Sequence, residues 1–207
     1  MSQLIACATP EGVMLASDSR AETFETSGEE QFVKVERFIP LTSHTVLASG
    51  GALEAQDLAR QFADFVKDEE LKDIDAIIQA AVPFFSGKVD EFFRKACEKL
   101  PLNPVINMYM LLGGCAPQTP DNPSRLFIVW DRVQPPKIES TDATHIFTLP
   151  RRMGLEYKLN QLVASWAPLA DIVELAKSAM EKLAGQDHYV GPPFRYLLIT
   201  QAGIVEV

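Results

Sequence analysis

The apolar positions along this chain repeat first with a strand-like period, then a helical one, and the alternation recurs to the C-terminal end. Residues 2–9 form a short β-compatible run, Pro10-Glu11-Gly12 is a turn signal, and residues 13–18 form a second apolar run. The two runs read as a hairpin. Residues 21–30 are polar and read as loop. Residues 32–38 alternate with charges, and residues 45–49 are another short apolar run. After Gly51 the spacing becomes helical. Ala55, Leu58, Ala59, Phe62 and Val66 make one stripe; Ile74, Ile77, Ile78, Ala81 and Phe85 make a second, which continues through Val89, Phe92, Phe93 and Ala96. Pro83 falls inside the second stripe and is expected to kink or interrupt the helix, because it removes an N–H and crowds the preceding turn. Strand patterns return at 107–115 and 126–130, with a proline-bearing loop at 116–124 between them. Two more helices follow, one over about 153–166 and one burying Leu169, Ile172, Val173, Ala176, Ala179, Met180 and Leu183. Strands at 196–200 and 204–207 close the chain around a turn at Gln201-Ala202-Gly203.

This order predicts one α+β domain over residues 1–207, with two packed sheets and a helix pair on each outer face. Strands covered on both sides should be apolar at successive positions, and Val13-Met14-Leu15-Ala16 and residues 108–112 are. With 47% hydrophobic residues in 207, the chain can bury a core of its own. The net charge of -9, with no basic run, argues against nucleic acid as a partner. No apolar stretch approaches the ~18 residues a bilayer-spanning helix needs. The first residues carry no basic region ahead of a long apolar block, so no signal peptide is expected. Cys7, Cys97 and Cys115 are odd in number and scattered, and read as reduced, mostly buried thiols of a cytoplasmic protein. His44, His145 and His188 lie far apart and fit no metal-ligand spacing, so no metal or cofactor is expected.

The candidate chemistry lies in the first fifty or so residues. Ser2-Gln3-Leu4-Ile5-Ala6-Cys7-Ala8-Thr9 leads through Pro10-Glu11-Gly12-Val13 into Met14-Leu15-Ala16-Ser17-Asp18-Ser19-Arg20-Ala21. This resembles the opening of proteasome β-type subunits and of the bacterial HslV peptidase, members of the N-terminal nucleophile hydrolases. That family begins with a nucleophilic Thr on a strand, followed by a Gly-Val-hydrophobic turn and strand and an Asp-x-Arg-Ala sequence. Ser2 falls where the family has its Thr. Asp18 falls on its Asp sixteen residues later, and Lys34 on its catalytic Lys sixteen beyond that, without a gap. Ala48-Ser49-Gly50-Gly51-Ala52 resembles the turn into the first helix, with Gly50 matching the residue whose N–H binds an oxyanion.

The resemblance implies a four-layer αββα sandwich and a serine variant of a threonine-type endopeptidase. A hydroxyl is a poor nucleophile without an adjacent base. An α-amine titrates near ~7.7–8 and can serve as that base at neutral pH, so Ser2 freed of Met1 would carry both groups. Lys34 would supply positive potential, Asp18 would pair with Lys34, and the Gly50 N–H would hold the tetrahedral oxyanion. By the same carry-over, Asp187 supports the site, while Ala21, Phe32, Glu36, Ala48 and Ala52 line the substrate pocket. The implied substrate is a peptide or unfolded protein. The implied assembly is a homo-oligomeric ring or a related oligomer, served by an ATP-dependent unfoldase.

The second half departs from the family pattern. A Gly-Ser-Gly-type turn, whose Ser supports the amine, is replaced by Thr144-His145-Ile146-Phe147-Thr148-Leu149-Pro150-Arg151-Arg152, where Thr148 is the one substitute to consider. Asp187-His188-Tyr189-Val190-Gly191 keeps the family's Asp and Gly but has Val at its Ser position. Two other readings therefore stand beside the peptidase: a catalytically inactive structural subunit, and an amidase or acylase of the wider superfamily.

Overall fold

The computed structural model describes residues 3–24, 30–99, 107–116, 124–133, 136–143 and 145–207. Over these the chain is a mixed α/β protein with four helices and three antiparallel sheets. The elements run β1 (Leu4–Thr9), β2 (Gly12–Ser17), β3 (Arg20–Phe24), β4 (Glu30–Lys34), β5 (Phe38–Thr42), β6 (Thr45–Gly51), α1 (Ala55–Asp68), α2 (Ile74–Lys99) and β7 (Met108–Cys115). They continue with β8 (Ser124–Val133), β9 (Pro136–Asp142), β10 (Ile146–Leu149), α3 (Met153–Ala164), α4 (Leu169–Ala184), β11 (Arg195–Thr200) and β12 (Gly203–Glu206). The expected order of strands, helix pair, strands, helix pair and strands is observed. Four strands escaped the sequence reading: β3, expected as loop; β5, which shares only Phe38 with the expected run over 32–38; and β9 and β10, whose polar or very short runs lack a strong alternation.

One five-stranded sheet has the order β10-β1-β2-β11-β12 and the other β5-β6-β7-β8-β9, while β3 and β4 pair with each other alone. Three apolar clusters hold these pieces together. The first joins α1 and α2 to the β5–β9 sheet through Phe62, Phe85, Phe92, Leu47, Met110 and Val129. The second lies between the two five-stranded sheets and contains Leu4, Val13, Leu15, Val46, Leu111 and Ile128. The third joins the β1-containing sheet to α3 and α4 through Ile5, Met14, Leu159, Ile172 and Met180. Strand alternation explains the split: Ile5 and Cys7 face the α3/α4 side, whereas Leu4, Ala6 and Ala8 face the opposite sheet. Both faces of β1 and β2 are thus covered, which is why their six residues each are buried throughout.

Helix α2 is not interrupted at Pro83; it runs as one 26-residue element. Pro83 is exposed, so the Gln79 carbonyl that loses its N–H partner lies on the watered side. On the inner side Phe84 and Phe85 pack on Phe62 at ring-centroid distances of 5.1 and 4.9 Å, holding α2 against α1 across the proline. Between β6 and α1 the chain turns at Gly51, with φ of +89°. A Cβ there would lie 1.9 Å from the Asn107 carbonyl oxygen, so only glycine fits this corner. Of the three thiols, Cys7 and Cys115 are buried and Cys97 is exposed. No helix among the described residues is long and apolar enough to cross a membrane.

One buried acid sits in this framework away from the N-terminal region. Asp131 on β8 accepts the Met108 N–H at 2.8 Å through Oδ1, while its Oδ2 has no partner among the described residues. Burial pushes its carboxyl up to about 6, from an ordinary 3.8. The folded state therefore holds this proton more tightly than the unfolded chain, and the associated stability is lost as pH rises through about 6. Asp131→Asn keeps the acceptor and removes the charge. Chemical denaturation should show the variant stabilised by about 2 kcal/mol at pH 8 and nearly unchanged at pH 4. A gain equal at both pH values would mean that Asp131 titrates normally in the fold.

Candidate active site

The site is built at the start of β1, where the chain enters the inter-sheet layer. Gln3 is fully buried, and its backbone N–H donates to Asp18 Oδ1 at 3.0 Å. The Asp18 N–H returns a bond to the Gln3 carbonyl at 3.2 Å. Asp18 follows β2, so the β1–β2 hairpin register, with Leu4 opposite Ser17, brings the two residues side by side. Asp18 Oδ2 is buried and has no geometric hydrogen-bond partner among the described residues. Ser2, the expected nucleophile, lies outside the described residues, as does Met1.

The cation beside Asp18 is Arg37, not Lys34. Arg37 Nε stands 3.5 Å from Asp18 Oδ1 and donates to the Asp18 carbonyl at 3.1 Å, and Nη2 donates to the Arg20 carbonyl at 2.6 Å. The two side chains are 4% and 0% exposed. Strand parity is the reason. Phe32, Lys34 and Glu36 are exposed, whereas Val33, Val35 and Arg37 turn inward to differing depths. Lys34 closes the two-stranded sheet opposite Arg20 and points to solvent. Burial pushes the Asp18 carboxyl above its ordinary value. The Arg37 charge and the N–H groups of Gln3, Arg20 and Gly191 pull the other way without cancelling that effect. Desolvation likewise lowers Arg37, opposed by Asp18.

Gly50 reaches the same region from β6. Its α-carbon faces Leu149, whose Cδ2 would be 3.2 Å from an added Cβ, and the Gln3 side-chain amide donates to the Leu149 carbonyl at 3.2 Å. The neighbouring Ser49 N–H donates to the Arg37 carbonyl at 3.0 Å, while the Ala52 N–H donates to Asn107 at 2.8 Å. Alternation then sets the Gly50 N–H, like that of Ala52, toward β7, where Gly50 lies opposite Tyr109. It is a ladder donor. The Gly51 N–H points the other way, to the side on which Ser49 meets Arg37.

Asp187 joins the site through Arg152. Arg152 Nη2 binds Asp187 Oδ2 at 2.7 Å, and Arg152 Nε donates to Gln3 Oε1 at 2.9 Å. Burial alone would raise Asp187, but hydrogen bonds from Arg152 and the Tyr189 N–H, with the Arg152 charge, hold it below the usual carboxylate range. Thr148 does not take the place of the missing serine. Its buried hydroxyl donates to Glu156 Oε1 at 2.5 Å and accepts the Arg152 N–H at 2.8 Å. Val190, at the other expected hydroxyl position, packs in the third apolar cluster.

The pocket residues expected from sequence are not gathered on one surface. Ala48 is 0% exposed between the sheets and offers nothing to a ligand. Ala52 packs on the helix-side cluster, and Glu36 pairs with Arg195 on the surface. Ala21, on β3 opposite Val33, is half-buried. Phe32 is 37% exposed and meets His188 edge-on at 4.8 Å, with the Arg20 guanidinium 5.0 Å from its ring centre. Among the described residues, no cluster of His, Cys, Asp and Glu could hold a metal ion. Arg37 and Arg152 were missed by sequence reasoning. Parity at 33, 35 and 37 could have found the first; nothing local marks the second. Compared with protein-family models the chain matches none, and a search of curated proteins likewise returns no match.

Because Arg37 neutralises a buried carboxylate and Lys34 does not, their removal should differ in kind. Arg37→Met is expected to destabilise the fold by about 3 kcal/mol at pH 8, with a smaller loss at acid pH, where Asp18 can take a proton. Lys34→Ala should stay within about 0.5 kcal/mol of the parent. Thermal and urea unfolding of both variants at pH 5 and 8 would check this; an equal loss for the two would put the ion pair on the wrong residue.

Proposed function

We propose that this chain is a serine-type N-terminal nucleophile hydrolase that cleaves peptide bonds, built on a four-layer αββα sandwich. The observation that carries the reading is the anchoring of the Gln3 N–H on Asp18, beside the buried Arg37 guanidinium. The residue joined to Ser2 is thereby held on a buried carboxylate–guanidinium pair. Once Met1 is removed, the Ser2 α-amine accepts the hydroxyl proton as Oγ adds to the substrate carbonyl. The tetrahedral intermediate collapses, the amine of the leaving peptide takes that proton, and water then hydrolyses the Ser2 ester. Arg37 supplies a fixed positive potential that favours the neutral amine and stabilises the negative charge developing on the oxyanion. The donor for that oxyanion is the Gly51 N–H, which faces the Arg37 side, in place of Gly50. The reading carries with it a cytoplasmic homo-oligomeric ring and an ATP-dependent unfoldase that delivers unfolded chains.

A second reading, a non-catalytic structural subunit of the same fold, is favoured by one specific feature. The Thr148 hydroxyl is committed to Glu156 and Val190 lies in the core, so neither expected supporting hydroxyl is present.

Intact mass of the native protein, before and after a β-lactone probe, separates the two. The hydrolase reading expects loss of Met1 and one adduct, mapped to Ser2 and abolished in Ser2→Ala. Retention of Met1 with no adduct would sink it and leave the scaffold.

A further inference from the structure

The Gln3 side chain is held from the side opposite Asp18. Its amide nitrogen donates to the carbonyls of Leu4, Leu149 and Pro150 at 3.1, 3.2 and 3.3 Å, and its Oε1 accepts from Arg152 Nε at 2.9 Å. Three carbonyls share the two N–H donors of that amide, and all these contacts converge on the residue that follows Ser2. Arg152 is itself fixed at three points. Its N–H is capped by Thr148 Oγ1, that hydroxyl is tied to Glu156, and its guanidinium is seated on Asp187. Glu156 is in turn clamped by Arg151 through two hydrogen bonds of 2.7 and 2.6 Å. A continuous series of hydrogen bonds therefore runs from the first turn of α3 to the side chain of Gln3.

We propose that Arg152 is a positioning residue, which acts through Gln3 to set the orientation of the Ser2 nucleophile. The inference rests on the hydrolase reading above. Two guanidinium groups grip residue 3 from opposite sides: Arg37 through Asp18 and the backbone, Arg152 through the side chain. Fixing both the backbone and the side chain of residue 3 holds the start of β1, to which Ser2 is joined. A strand end is otherwise the part of a sheet most prone to fray. In this arrangement the planar fork of Arg152, with Nε on Gln3 and Nη2 on Asp187, does the holding that the absent serine turn would have done. A lysine offers one point charge in place of that fork.

The test compares β-lactone inactivation of Ser2 in the full-length processed protein with Arg152→Gln, Arg152→Lys, Gln3→Met and the double variant Gln3→Met/Arg152→Gln. Unfolding midpoints would be measured on each to show that it is folded. Arg152→Gln should lower the limiting inactivation rate about 10- to 100-fold while changing probe affinity less than about threefold, as expected for a misplaced reacting group. Arg152→Lys should recover part of the rate. Gln3→Met should reproduce the Arg152→Gln loss, and the double variant should be no slower than either single one, because both break the same link. A wild-type rate in folded Arg152→Gln, a loss expressed in affinity alone, or additive effects in the double variant would each overturn the proposal and leave the hydrolase reading intact. A wild-type protein that loses Met1 and takes no adduct would overturn both.

Discussion

The structure depends on placing one carboxylate where water is absent. Asp18 sits at the end of β2 with a fully buried side chain, and leaving such a group unpaired would cost several kcal/mol. Three parts of the chain converge to satisfy it: Gln3 from the start of β1, Arg37 from the approach to β5, and the backbone around Arg20 and Gly191. Each brings its own element into register. The Gln3 contact sets where β1 begins, and the Arg37 contacts fasten β3 to β5. The Ser49 N–H, bonded to the Arg37 carbonyl, then ties β6 to the same point. A polar knot thus lies at one edge of the apolar layer between the sheets, and it specifies geometry that Leu4, Val46 and Leu111 alone would leave adaptable.

Most of the fold was legible because the periodicities were strong. The apolar stripes of α1, α2 and α4 predicted the buried faces nearly residue by residue, and the hairpin at Pro10-Glu11-Gly12 is found between β1 and β2. Strands β3 and β9 were illegible for a physical reason. The first belongs to a two-stranded ribbon with solvent beside it, and the second is an edge strand, Pro136–Asp142, whose sequence is mostly polar. Neither position selects the apolar alternation that marks a strand in a chain. Pro83 does not interrupt α2, because packing of the adjacent phenylalanines outweighs one lost hydrogen bond on a solvated face.

The candidate site was legible in its backbone and not in its cation. Matching spacing to a family pattern selected Lys34, while strand parity placed Lys34 outside and Arg37 inside. Spacing counts residues; a pleated strand sorts them by odd and even position, and a shift of one turns an inward charge into a surface one. The same rule turns the N–H groups of Gly50 and Gly51 to opposite edges of β6. Arg152 and Asp187 illustrate a different limit. They stand 149 and 184 positions from Gln3 and Gln3's strand, and the link between them exists only after β10 and α3 have been laid beside β1.

Exchanging lysine for arginine at the buried position changes what the site can do. A lysine in a desolvated setting can lose its proton and act as a base, whereas a guanidinium stays charged and serves only as a fixed field and a set of donors. Asp18, raised by burial but gripped by Arg37, is occupied in holding that guanidinium and the Gln3 amide. Arg152 is charged for the same reason, and Asp187 is held ionised beneath it. On the hydrolase reading, the Ser2 amine, with an ordinary titration range close to neutrality, is the base of the site. Removal of Met1 would then be its chemical switch, because it creates that base.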